Sequence, residues 1–162
     1  MKKLFILIFI LILPNNLFAQ NQVIGTVTLA IGEIKTLDNR VLNAGDSIYF
    51  NETVIAGDNS KSQIILLDET VMMIGSGTEL TIDEFIYNPD NLKGKIITSI
   101  KQGSIKVLSG KISETNPEDL IIKTPAGTIG TRGTEFQALV DEEEGDSKIL
   151  LIGPGPNNTL GL

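Results

Sequence analysis

The residues predict an all-β fold, a single domain of short strands arranged as a β-roll or solenoid-like stack, with a two-sheet β-sandwich as the alternative. Short runs rich in Val, Ile and Thr recur along the chain with small or polar residues between them. Turn-forming residues separate the runs at Gly32, Gly45, Gly57, Asp68 and Gly77, at gaps of 9 to 13 residues. The gaps drift and no side-chain identity repeats with them, which argues against a strict repeat protein. Periodicity does not separate roll from sandwich, because both alternate inward and outward residues. Even turn spacing and short strands favour the roll.

Residues 1–19 read as a signal peptide. Lys2 and Lys3 supply the positive region, residues 4–13 an unbroken apolar run, Pro14 a breaker, and Ala19 a small-residue cleavage site. The run is too short to span a bilayer comfortably, so residues 20–162 are expected to be an exported domain without a membrane span. The chain has no cysteine, which excludes a cysteine-linked lipid anchor and a disulfide scaffold and fits a bacterial periplasm or cell exterior. Formal net charge is −7, and losing Lys2 and Lys3 makes the remainder more acidic still. With no basic run anywhere, nucleic acid and anionic lipid are poor partners.

Strands are expected at residues 23–29, 48–50, 53–55, 63–67, 71–74 and 79–82, where apolar and polar residues alternate or β-formers cluster. Residues 83–94, carrying Phe85, Ile86 and Tyr87 and ending in an Asn-Pro-Asp-Asn turn signal, read as an excursion loop. Residues 95–100 and 104–108 read as a hairpin about Gln102 and Gly103. Residues 113–119 are polar and read as a loop. A second hairpin joins residues 135–140 to 147–152 through the acidic turn 141–146. The chain closes on a Gly-Pro loop with Leu160 and Leu162 at its end, an apolar stub that suggests further sequence or a late last strand.

The most distinctive stretch is residues 120–136, LIIKTPAGTIGTRGTEF. It begins as a strand, which Thr124 and Pro125 interrupt because proline has no amide proton to donate. Gly127, Gly130 and Gly133 then suggest positive φ or close backbone approach. A glycine-rich loop carrying Arg132 could cradle an anion, but such loops open a helix, and this one feeds a strand and lacks the lysine that phosphate loops carry. The favoured reading is structural: Arg132 ties loops together through a carboxylate, Asp46 or Asp68, and the glycines permit close packing.

These residues resemble the FecR-type extracytoplasmic domain family. The segment TPAGTIGTRGTEF, with Thr124, Pro125, Gly127, Gly130, Arg132, Gly133, Thr134 and Phe136, is similar to that family's most distinctive stretch. Upstream segments resemble it in the same order: VIGTV at 23–27, LNAGD at 42–46 with Gly45 and Asp46, ETVIAG at 52–57, SQIILLD at 62–68 ending on Asp68, and GSIKVLSG at 103–110. The resemblance covers residues 23–152. Glu69 stands where the family usually has the glycine of an Asp-Gly turn. In the founding group such domains receive a signal from a partner's periplasmic domain and pass it across the inner membrane to a sigma factor. The resemblance therefore implies a protein-binding role in envelope signalling. Because a cleavable signal replaces the founding group's retained membrane helix, no part of the mature chain is expected to reach a cytoplasmic sigma factor.

Catalysis finds little support. Without histidine or cysteine, Ser-His-Asp and Cys-His arrangements and imidazole or thiolate metal sites are excluded. Paired carboxylates such as Asp68 with Glu69, or Asp83 with Glu84, are strand neighbours that point to opposite faces, unlike the facing pair of a glycosidase. The acidic turn 141–146 lacks the ligand alternation of a calcium loop and reads as a solvated hairpin tip. No cofactor and no metal is expected. The expected partner is a protein of the envelope or outer membrane, bound by strand addition to an edge such as residues 104–109 or 135–140. The other reading is a structural or scaffold domain of a surface or secreted protein.

Overall fold

The first strand buries apolar residues on both sides of a register shift, so its alternation is broken there. In β1 (Val23–Ile31), Ile24 and Val27 are fully buried while Thr26 and Thr28 face water. The computed structural model describes residues 22–130, 135–141 and 147–151, so the signal-peptide segment, Arg132, Gly133, Thr134 and most of the acidic turn lie outside the described residues. β2 (Ile34–Thr36), β3 (Ser47–Tyr49), β4 (Thr53–Ala56), β5 (Lys61–Leu66) and β6 (Val71–Ile74) are short and alternate strictly between buried and more exposed residues. Two long strands follow, β7 (Glu79–Asn88) and β8 (Lys93–Leu108). A one-turn helix α1 (Lys111–Thr115) and a 3-10 turn (Pro117–Asp119) lead to β9 (Leu120–Thr124), β10 (Gly127–Gly130), β11 (Phe136–Val140) and β12 (Ser147–Leu151).

All twelve strands belong to one curled sheet, so the all-β expectation holds. Its main path runs β2-β4-β7-β8-β6-β5-β1-β3, with neighbours antiparallel. β8 joins the two halves. Its first part lies between β7 and a parallel β9, and its last part lies between β6 and β11. β9 forms a hairpin with β10, and β11 forms one with β12, as expected for the second hairpin.

Curling wraps one apolar face around one continuous core. Ile24, Ile64, Met72, Val107 and Phe136 from one half meet Ile34, Leu80, Ile82, Ile96 and Ile122 from the other. Each such side chain contributes about 1.5–3 kcal/mol relative to exposure.

Three expectations need correction. Gln102 and Gly103 do not form a hairpin turn; the chain passes through them as one strand with a corner. Gly103 has φ of 97°, and a Cβ there would lie 2.4 Å from Thr78 Cα, so only glycine fits the bend. Thr78 Oγ1 fixes the corner by accepting from Ser104 N–H at 3.0 Å and donating to Ser104 C=O at 3.0 Å. Residues 83–88 are not loop but the outer part of β7, with Phe85 buried, and only residues 89–92 turn. Finally, residues 113–119 contain the end of α1 and the 3-10 turn in place of a polar loop.

Candidate functional site

Residues 120–130 form a tight hairpin. Thr124 pairs with Gly127 across a turn of Pro125 and Ala126, so the missing amide of Pro125 falls where no strand needs it. Thr124 Oγ1 donates to Gly127 C=O at 3.1 Å and accepts from Ser147 Oγ at 3.0 Å, fastening the tip to the start of β12. Ile122, Ile129 and Phe136 point into the core, with Phe136 opposite Val107 on β8. Gly127 and Gly130 are exposed and a Cβ on either would meet nothing within 4 Å, so close packing is not their role. Gly127 has φ of 150°, which suits glycine. The expected partner of Arg132 lies outside the described residues with Arg132 itself.

The other motif residues serve separate turns. Gly45 N–H donates to Val27 C=O at 2.7 Å, Val27 N–H donates to Asp46 C=O at 2.9 Å, and the Asp46 carboxylate takes the Asn43 N–H at 2.7 Å. Asp68 is fully buried. Its carboxylate accepts from Thr70 N–H at 3.1 Å, Thr70 Oγ1 at 2.7 Å and Ile112 N–H at 3.4 Å, and its carbonyl accepts from Lys111 N–H at 2.8 Å. The β5–β6 turn is thereby locked onto α1. Glu69 takes the positive φ, 70°, that glycine would adopt, so the turn keeps its geometry without the glycine. No described hydrogen bond joins Asp46, Asp68 and the β9–β10 hairpin into one site.

A site that the sequence reading missed lies where the two ends of the sheet path approach each other. The end of β2 and the β3–β4 turn, residues 36–38 and 49–53, line a groove of about 400 Å³. At its margin the Arg40 guanidinium donates to Glu52 Oε1 at 2.6 Å and to Ser47 C=O at 3.2 Å, and lies 5.4 Å from the Tyr49 ring centroid. Glu52 Oε2 accepts the Tyr49 N–H at 3.1 Å. The carboxylate of Glu52 raises the Arg40 pKa, so the guanidinium stays charged at any working pH. Opposite, the Thr36 hydroxyl donates to Asp38 and holds that carboxyl below its usual range. The signal was available: Arg40 is one of two arginines, and Tyr49, Phe50 and Glu52 follow within twelve residues.

The fold and this site define an all-β domain whose β3 margin is closed by side chains. A family model described as FecR protein matches residues 52–152, and the chain belongs to the FecR family. FecR domains are known in envelope signalling proteins. No curated protein and no solved structure matches the chain. No described helix is long and apolar enough to cross a membrane.

Proposed function

We propose that this chain is an exported, non-catalytic interaction module that serves envelope signalling by binding an envelope or outer-membrane protein at a sheet margin. The family match over residues 52–152 carries this reading. Main-chain edges support it, because a partner strand can pair with an edge while asking little of its sequence. The two edges expected from sequence are not available. Residues 104–108 lie between β6 and β11, and β11 lies between β8 and β12, so both are covered on each side. Margins remain at β3, one end of the sheet path, and at β10 and β12, each paired to one strand among the described residues, while β2 at the other end bonds to residues 40 and 42.

A scaffold role in a surface or secreted protein is the second reading, and Ile149 favours it. Ile149 pairs with buried Ala138 and so shares the core side of the sheet, yet it is 48% exposed. The test is a pull-down from the native envelope with the chain from Gln20, tagged at its carboxyl end and analysed by mass spectrometry. Recovery of a receptor or inner-membrane regulator supports signalling; recovery of itself or of surface polymer supports the scaffold.

A further inference from the structure

We infer that the Arg40–Glu52 pair is a removable clasp over the edge of β3, and that the groove beside it receives an arginine-bearing extended segment of another protein. This deepens the interaction reading and rests on it. The register fixes which groups the clasp covers. Asp46 C=O and Phe50 N–H bond toward β1, to Val27 N–H and Gln22 C=O, so Ser47 and Tyr49 turn their main-chain groups the other way. An added strand would claim Ser47 C=O and Tyr49 N–H. Here one side chain donates to the first and the other accepts from the second, so the ion pair imitates the missing strand.

The occupant's chemistry follows from what the clasp already holds. A guanidinium fits the site because three features converge on it: the Glu52 carboxylate, the Ser47 carbonyl and the face of Tyr49. A partner's arginine can take the Glu52 carboxylate and the face of Tyr49 while its main chain pairs with Ser47 C=O and Tyr49 N–H. Charge favours such a segment, since Asp38 faces the same groove and the whole chain carries −7. Leu37 and Phe50, 66% and 47% exposed, rim the groove and offer apolar contact to the residues flanking the arginine. Displacing the clasp costs little main-chain order, because β3 has three residues and keeps its bonds to β1.

Removing Arg40 should therefore vacate a guanidinium site. The test titrates the chain from Gln20, wild type and Arg40→Ala, with acetyl-Leu-Arg-Leu-amide and follows backbone amide shifts by NMR. The variant is expected to bind about tenfold more tightly than wild type, as a charge-assisted pair allows. Shifts should centre on Ser47, Tyr49 and Glu52, acetyl-Leu-Glu-Leu-amide should bind neither form, and adding Glu52→Gln should abolish the gain. Equal or absent binding by folded Arg40→Ala, or shifts centred on β10 or β12, overturns the inference. If Arg40→Ala does not fold, Arg40→Lys replaces it, because lysine keeps the charge and loses the fork. A gain of several-fold supports the clasp, and no gain refutes it. The peptide reads the clasp whether or not the envelope pull-down recovers a partner, so the two readings fail separately.

Discussion

Two turns of this domain use a carboxylate to hold main-chain amides, and they differ in what surrounds the carboxylate. At the β5–β6 turn Asp68 has no exposure and is enclosed by Thr70 and α1, and Gly110 lies so close that a Cβ would sit 2.3 Å from Thr70 N. At the β3–β4 turn the Glu52 side chain keeps 14% exposure, borders a groove and is paired to an arginine that is 35% exposed. A buried acceptor that serves three donors cannot leave without stranding them. An acceptor at a groove can exchange one cation for another. The first turn is built for stability and the second for exchange, although Asp68 and Glu52 both lie in family-like segments.

The largest effect should come from breaking the buried turn. Asp68→Ala strands the Thr70 and Ile112 donors and is expected to cost about 2–4 kcal/mol, roughly a 10 °C fall in Tm by calorimetry. An unchanged Tm would remove the contrast between the turns. Gly103→Ala should cost about 2–3 kcal/mol in denaturant titration, since the new methyl meets Thr78 backbone at a positive φ. A smaller loss would mean that the β8 corner relaxes freely.

Arg40→Ala should lower stability by only about 0.5–1.5 kcal/mol, because the pair is partly solvated. A loss equal to that of Asp68→Ala would make the clasp a structural anchor. Glu69→Gly should fall between neutral and about 1 kcal/mol stabilising, since glycine adopts φ of 70° without strain and the exposed contact to Lys111 is worth little. The smallest effect concerns Asp38. Its carboxyl is held below the usual range by the Thr36 hydroxyl, so its contribution is present above the unfolded carboxylate pKa and is lost as pH falls through the folded value. Asp38→Asn should therefore lower Tm slightly near pH 7, leave it close to wild type at low pH, and so flatten its decline below about pH 4.

Much of the fold was legible because period-two alternation survives in most strands. β7 reads intermediate at Glu79 and Thr81 and buried at Leu80 and Ile82, as its sequence suggests. The failures have local causes. A register shift between Ile82 and Glu84 interrupts alternation in β7, so its outer part resembled a loop. Gly103 looks in sequence like a hairpin residue, and only the contact with Thr78 reveals a corner. The groove was missed for another reason. Arg40, Ser47 and Tyr49 lie outside the family-like segments and Glu52 only opens one of them, and they converge because the curl brings the end of β2 to the β3–β4 turn.

Amide hydrogen exchange at Tyr49, measured in the chain from Gln20 with and without Glu52→Ala, tests the contrast between the two turns most directly. Loss of the acceptor should speed exchange at Tyr49 at least about tenfold while Thr70 and Ile112, held by Asp68, keep their rates. Exchange at Tyr49 that does not change, or that rises together with Thr70 and Ile112, would contradict a clasp that opens independently of the buried turn.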